Sequence, residues 1–454
     1  MADVWINPIA RKAILDKYNL NKKEDLRLMS YMLFEGAPDE FDKEIIVLWR
    51  GVLRKIYGRK ATIKTTLQEF RERTGLDFDV YKHNRHKHRA TTVRIHLDEE
   101  IEAIIFDACL DYGDKSGKVG FVTGDPYTKY RERKEQKKRE QELAYSEPPM
   151  DHPGRDLILY LHSRDSRRIL QRLLRKNKPN VKAALLNMAE GNRRYMAATR
   201  WAVSQRGLIK YKGVANTSRI YGDGANIFQL PKAVREAALV GTYSLDMKSA
   251  QLVIVSRLWQ PPLLMEEINK GTDMWRKLVE DCFGKVAEED FDRYKGYIKG
   301  AVYTIIFGGG KDRIKIENPN CPESFMKHPI IEELLEYRKA AMDRIKEHGG
   351  IRDAFGEWWT FEDVENKDRE DEKIRSLLSR EVQSYELAIM LEGFKALGMD
   401  RDLVMVAWLH DGVYIYIRNH KANADHKLYG IAQAIEAKAS TYGMPMRVEC
   451  EYLE

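Results

Sequence analysis

Apolar side chains recur at helix spacing along much of the chain. Residues 164–178 carry four apolar positions at that spacing among arginines. This pattern predicts an amphipathic helix that packs on one side and presents arginines on the other. Residues 291–307 predict a second helix, and the three glycines at 308–310 then end it.

Strand patterns are shorter and fall at three places. Residues 91–97 alternate between apolar and polar positions, and residues 242–247 predict a short strand that ends in Asp246. Residues 403–417 predict two apolar strands around a turn, and Gly412 suits that hairpin. The strands therefore end in or beside acidic residues.

Composition excludes several classes of protein. The chain has 454 residues, 43% of them hydrophobic, and a net charge of +7 from 77 basic and 70 acidic residues. No apolar run approaches the ~20 residues that cross a bilayer, and the N-terminus lacks a signal-peptide pattern. The four cysteines form no CxxC pair, which favours reduced thiols in a cytoplasmic protein, bacterial or phage-encoded.

The basic charge is concentrated in local stretches. Residues 129–142 form a charged block that is either a nucleic-acid contact or a solvated helix or linker. Residues 81–89 could grip phosphates or, through three histidines, a metal; their spacing fits no zinc motif, which favours a basic surface turn. The proline-rich residues 146–153 predict a linker and the main domain boundary.

Two aspartates are candidates for metal binding. Asp246 ends its predicted strand, and Asp411 lies in the turn of the predicted hairpin. Mg²⁺ favours one or two carboxylates together with substrate phosphates, and two such ions can activate a hydroxyl and stabilise a leaving pyrophosphate. Each aspartate alone is equally compatible with a cap or turn residue.

Four residues of the second predicted helix recur every fourth position. Lys295, Lys299, Tyr303 and Phe307 therefore lie near one face. Two cations followed by two aromatic rings suit a triphosphate against the lysines and a base on the rings. The alternative is a helix whose lysines extend over a neighbouring element. The following GGGK is not a P-loop, because its spacing and position differ.

In order, these segments resemble the motifs of the family A DNA polymerases, the group that includes bacterial DNA polymerase I. The first palm motif of that family, D-Y-S-Q-I-E-L-R, matches here at Asp246 and Leu252, with Gln251 in the Glu position. The fingers-helix motif R-x3-K-x3-[FY]-x3-Y-G resembles, at identical spacing, Lys295, Lys299, Tyr303, Phe307 and Gly308. The second palm motif H-D-E matches at His410 and Asp411.

Further segments extend the resemblance to about residues 200–454. The T-G-R…N-L-Q-N-I-P segment of the family resembles residues 217–231, with Arg219 and Asn226 at the same separation. An R-x7-Q element matches Arg375 and Gln383, and residues 349–356 resemble a glycine-bounded segment after the fingers. The Arg…Asn…Pro element separates the chain from single-subunit RNA polymerases.

The resemblance implies a two-metal centre. Asp246 and Asp411 would be catalytic and bind two Mg²⁺ ions, with Mn²⁺ as an alternative, and the Met247 carbonyl would assist. Lys299, also catalytic, would hold the triphosphate together with Lys295 and offset charge as pyrophosphate leaves.

The resemblance also implies contacts to nucleotide and DNA. Tyr303 would pack against the incoming nucleotide, Phe307 would lie by the template base, and Gln251 would lie by the sugar. Six residues would contact the primer-template: Arg219, Asn226, Gln229, Arg375, Gln383 and His410. Contacts of this kind at the minor groove read duplex shape rather than sequence.

The chain departs from the family at four positions. The family pairs a Glu and a Tyr that together exclude a ribose 2′-OH; Gln251 and Phe307 stand there, and phenylalanine has no hydroxyl for that bond. We therefore expect weaker sugar discrimination. Gly412 replaces the Glu of H-D-E, and Trp275 stands where relatives often carry His.

The resemblance predicts an α+β right-hand polymerase fold with an antiparallel palm sheet and helical fingers and thumb. The expected division is an N-terminal accessory domain at 1–145, a thumb-like region at 146–240, palm at 241–282, fingers at 283–370 and palm at 371–454. The N-terminal region lacks the carboxylate set of a 3′→5′ exonuclease, so no proofreading is expected.

The predicted function is DNA-directed DNA synthesis in a phage- or plasmid-type replicon. The alternatives are a primase-polymerase or RNA-synthesising enzyme on the same fold, and a non-catalytic nucleic-acid-binding protein. The predicted partners are template and primer DNA, nucleoside triphosphates and replication proteins docking on residues 1–145, with no membrane.

Overall fold

Helices dominate the structure, and its strands form small antiparallel sheets. It is a computed structural model describing residues 5–35, 37–38, 46–57, 63–81, 90–110, 118–123, 152–189, 192–204, 209–214, 216–223, 226–365, 367–419 and 424–454. The predicted mixed α+β class is confirmed at this level. The block 129–142, residues 82–89 and the boundary at 145–146 lie outside the described residues. Within the described residues, no helix has the length and apolar character to cross a membrane.

The N-terminal region combines a small sheet with short helices. Its strands are β1 Trp5–Ile6, β2 Ala37–Pro38, β3 Ile46–Trp49, β4 Asp77–Tyr81, β5 Ala90–His96 and β6 Val119–Gly120. Its α-helices are α1 Pro8–Lys17, α2 Lys23–Ser30, α3 Arg50–Tyr57, α4 Ile63–Thr74 and α5 Glu99–Leu110, and a π-helical turn spans Tyr31–Glu35. The sheet order is β2-β3-β5-β4, and β1 pairs with β6. The strand predicted at 91–97 is thus confirmed as β5.

The next region is helical and leads into a hairpin. Its elements are α6 Arg155–Leu161, α7 Arg164–Lys176, α8 Lys178–Leu186, α9 Asn192–Ser204, β7 Lys210–Val214, β8 Thr217–Asp223, a 3₁₀ turn at Ile227–Gln229 and α10 Lys232–Ala238. The predicted amphipathic helix is confirmed as α7, because its four apolar residues are buried. Ser163 caps its N-terminus through a bond from the Ser166 N–H.

The third region is mostly helical. Its elements are α11 Ala250–Trp259, α12 Pro262–Asn269, α13 Met274–Phe283, α14 Glu288–Ile306, α15 Lys311–Glu317, α16 Glu323–Met326, α17 Pro329–His348, β10 Gly350–Arg352, β11 Trp358–Thr360, α18 Glu370–Gly398 and α19 Ala424–Thr441. The helix predicted at 291–307 is confirmed as α14. It ends just before Gly308, whose φ is +83°. The long helix α18 packs against α11, α17, α19 and β8, and so joins this region to the hairpin.

A four-stranded antiparallel sheet forms the centre. Its strands are β9 Tyr243–Met247, β12 Leu403–Leu409, β13 Gly412–Ile417 and β14 Val448–Tyr452, in the order β12-β13-β9-β14. The predicted hairpin and the predicted strand ending at Asp246 are both confirmed. The hairpin bends at a bulge between Met405 and Ala407.

Three hydroxyl groups from the preceding region form hydrogen bonds with backbone groups at the edge of β12. The Met405 N–H donates to the Tyr160 hydroxyl at 3.3 Å, and the Ser166 hydroxyl donates to the Met405 carbonyl at 2.7 Å. The Trp408 N–H donates to the Tyr211 hydroxyl at 3.1 Å. An unpaired sheet edge is an aggregation hazard, so these contacts both protect β12 and fix the helical region against the sheet.

Candidate active site

The two predicted aspartates lie at one end of the central sheet. Asp246 is in register with Gly412 on one neighbouring strand and with Glu449 on the other, so the three share one face. Asp411 precedes Gly412 in the turn, and its carbonyl accepts a hydrogen bond from the Met247 N–H at 3.0 Å. Strand register and this turn bond therefore bring both aspartates together.

The environment of Asp246 disfavours its ionised form. Desolvation by burial, followed by the charge of Asp411, raises its pKa to about 7, while Lys299 and Lys232 oppose the rise. Its side chain nevertheless keeps contact with water. Carboxylates that repel each other at an accessible position favour a cation, which would offset both charges.

The donor set fits Mg²⁺ better than a metal held by protein alone. Among the described residues, no group of three or more His, Cys, Asp or Glu side chains is arranged to hold an ion. An ion between Asp246 and Asp411 would complete its shell with carbonyl, water or phosphate oxygens, which Mg²⁺ accepts. The nearby Glu449 is engaged by Lys248 at 3.0 Å.

The stripe on α14 continues from a lysine into aromatic rings. The Lys299 Nζ lies 5.4 Å from the Tyr303 ring centroid, which lies 6.1 Å from that of Phe307. Trp275 on α13 lies 5.8 Å from the same Nζ and meets Tyr303 edge to face. Two rings thus hold this ammonium group, which stabilises its position.

Tyr303 faces the acidic end of the sheet. Burial raises its pKa well above the ordinary value, and Asp411 and Glu386 add to the rise. Its hydroxyl therefore stays neutral beside the carboxylates. Lys295 lies one turn before Lys299 on α14, with its Nζ 5.7 Å from the Phe291 ring centroid.

A buried ion pair forms one wall of the site. Arg219 on β8 donates from Nε and from an Nη to the two oxygens of Glu386 on α18, each at 2.8 Å. The side chain of Glu386 is 1% exposed. Gln251, in the first turn of α11, donates its amide N–H to the same carboxylate. Burial alone would lower the pKa of Arg219, but Glu386 outweighs it and raises the pKa.

The aromatic end of α14 packs against two arginines. The Arg219 guanidinium carbon lies 5.9 Å from the Phe307 ring centroid. A side chain at Gly308 would collide with Arg375, which pairs with Asp371 at 2.9 Å. Glycine is therefore required at 308 both for its positive φ and for this close approach.

His410 is a strained residue beside the aspartates. Its φ is +48°, which is uncommon for a residue with a side chain. Burial, with the charge of Arg219, lowers its pKa to about 3, so the ring is neutral. Its ring packs edge to face on Tyr221 at 4.8 Å. Strain of this kind clusters at functional sites.

The predicted primer-template residues divide into two groups. Gln383 accepts a hydrogen bond from the Thr217 hydroxyl. Thr217 lies two residues before Arg219, so Gln383 is beside the buried Arg219–Glu386 pair. Asn226 instead caps the 3₁₀ turn by accepting from the Phe228 N–H at 2.9 Å, and Gln229 ends that turn. The structure thus gives Asn226 a local structural role, while a DNA contact for it stays a prediction.

Sequence reasoning missed three charged residues near the aspartates: Glu386, Glu449 and Lys232. Glu386 follows Gln383 by three positions on α18 and so lies on the same helical face, which was an available signal. Glu449 is revealed only by its strand register. Lys232 is recognised from its effect on the pKa of Asp246.

Comparisons with known proteins give a remote likeness. No protein-family model and no curated protein matches the chain. Among solved structures, it is similar to the POL domain of Pol1 from M. smegmatis, determined in complex with DNA primer-template and dNTP. The identity is 13% over 99% of this chain and 66% of that chain, with a TM-score of 0.44. A likeness this distant assigns no function.

Proposed function

We propose that the chain is a template-directed nucleotidyltransferase, a DNA-directed DNA polymerase of family A type without proofreading. One observation carries this proposal: Asp246 and Asp411 share one end of a sheet, within electrostatic reach of Lys299 and Tyr303, and the stripe continues from Tyr303 to Phe307. A nucleotide there would have its phosphates between carboxylates and ammonium groups and its base near the rings. On this reading the central sheet is a palm, α14 belongs to the fingers and α6–α9 form a thumb.

Each residue would have a distinct task. Asp246 and Asp411, assisted by the Met247 carbonyl, would hold Mg²⁺, which when bound activates a hydroxyl and stabilises developing charge. Lys299, fixed by Trp275 and Tyr303, would offset negative charge on the phosphates from the opposite side. These groups are oriented before substrate arrives, which lowers the reorganisation needed during reaction.

The neighbouring residues would position the nucleic acid. His410 is neutral, so it can donate or accept one hydrogen bond near a primer end without adding charge. Arg219 and Gln383 would approach the duplex beside it, and Arg375 would line the template side near Gly308.

Primer extension tests the proposal directly. We expect the wild-type protein to extend a DNA primer according to the template in Mg²⁺ or Mn²⁺, and to stop when the metal is chelated. A primer carrying a 3′ mismatch should persist unremoved. A wild-type protein that extends no primer with either metal would contradict the proposal and leave a nucleic-acid-binding protein.

A primase-polymerase is the second candidate. It is favoured by Gln251 and Phe307, which replace an acid and a tyrosine and cannot form the bond that excludes a ribose 2′-OH in the resembled family. Synthesis on single-stranded DNA without primer, run in parallel, distinguishes the two. Products from unprimed template would favour the primase-polymerase.

Gly412→Ala should lower the extension rate by roughly tenfold without unfolding the protein. A Cβ there would lie 2.9 Å from the Asp246 Oδ1, and the end of that side chain would move aside. Gly430→Ala is the matched control, because a Cβ at this position of α19 meets nothing within 4 Å. Rates should be compared by single-turnover extension, with thermal melting to check the fold. Equal rates for both variants would show that Asp246 needs no such clearance.

A further inference from the structure

Lys248 forms ion pairs with acidic residues on both sides of the site. It follows β9 directly, and its backbone N–H donates to the Arg447 carbonyl at 2.9 Å. Its Nζ lies 3.0 Å from the Glu449 Oε1 on β14 and 3.3 Å from the Asp273 Oδ2 at the start of α13. The first palm motif of the resembled family has serine at this position, so the bridge belongs to this chain in particular.

The backbone around Lys248 holds the bridge in place. Ser249, the next residue, has a φ of +53°, which is uncommon for a residue with a side chain, and it turns the chain from β9 into α11. A side chain at Gly271, two residues before Asp273, would collide with the Arg447 guanidinium. The end of the sheet and the start of α13 therefore approach each other closely.

Asp273 connects the bridge to the aromatic stripe. Its Oδ1 accepts from the Trp275 and Arg276 N–H groups, each at 3.1 Å, and so caps α13. Burial would raise the pKa of Asp273, but the Arg276 backbone bond, Lys248 and Lys295 together lower it. The carboxylate is thus ionised, and it holds the helix that carries the Trp275 ring against the Lys299 ammonium group.

Glu449 connects the bridge to the catalytic carboxylates. It is in register with Asp246 on the neighbouring strand, so the two side chains are neighbours on one face of the sheet. A continuous series of contacts therefore runs from the sheet through Glu449, Lys248 and Asp273 to Trp275.

We propose that Lys248 is a positioning residue that sets the distance between the Asp246–Asp411 carboxylates and the Lys299 ammonium group. The inference rests on the proposed nucleotidyl transfer and names a residue that aligns its site. The side chains of Lys248 and Asp273 are 37% and 42% exposed, so their pairing adds little to stability. Small displacements of groups that act together on a reacting centre nevertheless lower its rate strongly. The bridge should therefore matter for the rate of reaction more than for folding.

Lys248→Met tests the bridge, because methionine keeps an unbranched side chain and removes the ammonium group. The maximal rate of single-nucleotide addition should fall about tenfold. Nucleotide affinity, measured without chemistry on a dideoxy-terminated primer-template, should change by less than about twofold. Thermal melting should stay close to that of the wild type, and Lys248→Arg should recover most of the rate, since a guanidinium can bind both carboxylates.

Lys427→Met is the matched control. Lys427 also bridges two carboxylates, Asp400 at 2.9 Å and Asp402 at 2.7 Å, but at the opposite end of the hairpin from Asp411. This variant should melt at a lower temperature and keep the wild-type rate. An equal loss of rate in both lysine variants would overturn the proposal, because the effect would then follow from any broken bridge.

Asp273→Asn separates positioning from a direct contact between Lys248 and the triphosphate. Asparagine keeps the oxygen that caps α13 but loses the charge that holds the lysine. The rate should fall as in Lys248→Met, and the double variant should fall no further than either single variant. If Lys248 bound the phosphates itself, Asp273→Asn would free it and keep the rate, while Lys248→Met would lose nucleotide affinity. That result, or a wild-type rate in Lys248→Met, would overturn the proposal and leave the polymerase intact. A wild type that adds no nucleotide would overturn it together with the proposed function.

Discussion

Replacing Asp246 or Asp411 by asparagine should lower the rate of primer extension by at least about a thousandfold. Asparagine keeps the volume and one oxygen of each side chain but removes the charge that would hold a divalent cation. Lys299 would then face phosphates without the metal that should neutralise their other side. Single-turnover extension in saturating Mg²⁺ measures the loss, since it isolates nucleotide addition from product release.

Asp246→Asn should at the same time stabilise the protein in metal-free buffer. The pKa of Asp246 is raised to about 7, so the folded state holds a proton that the unfolded state releases at lower pH. The resulting stability is complete below about pH 4 and is lost as the pH rises through 7. At pH 8 the variant should therefore gain on the order of 1 kcal/mol in the free energy of unfolding, a value discounted because the side chain contacts water.

Asp402→Asn is the matched control for these variants. Asp402 lies at the opposite end of the same hairpin, where it pairs with Lys427 at 2.7 Å. This change should leave extension unaltered and lower stability slightly. Extension by Asp246→Asn at the wild-type rate would show that the carboxylate pair is not the reaction centre.

Local patterns predicted the elements of the site but not their arrangement. The four-residue repeat of α14 fixes one helical face whatever packs against it, and the apolar runs around residues 410–412 need a hairpin to pair. Both predictions depend on short-range geometry and were confirmed. That Asp246 and Asp411 meet depends on β9 pairing with β13. This contact joins distant segments that no local pattern relates, so only the family resemblance predicted it.

The buried wall shows why the rest stayed hidden. Glu386 reads in the sequence as one more polar residue of a long helix, and acidic residues are rarely buried. Only the fold reveals that Arg219 reaches it across 167 positions. The same applies to Gln251, whose chemistry depends on which of its two amide ends Glu386 occupies.

Arg219→Met should lower the free energy of unfolding by about 3–5 kcal/mol, because it leaves Glu386 as a buried charge without its cation. Arg344→Met, which breaks the pair with Glu381 on the same helix, should cost less. The Arg344 side chain is 39% exposed against 16% for Arg219, so water can replace more of what is lost. Urea denaturation of the two variants makes this comparison.

The loss in Arg219→Met should also grow with pH. Burial already raises the pKa of Glu386 and Arg219 opposes the rise, so removing the guanidinium raises this pKa further. The folded variant then takes up a proton that the unfolded chain releases above about pH 4. Its stability should consequently fall between pH 5 and 8 more steeply than that of the wild type. Adding Glu386→Leu removes the unpaired charge and should restore most of the stability and the wild-type pH slope. If Arg219→Met alone were as stable as Arg344→Met at both pH 5 and pH 8, solvent would already reach Glu386. The wall of the site would then be open to water.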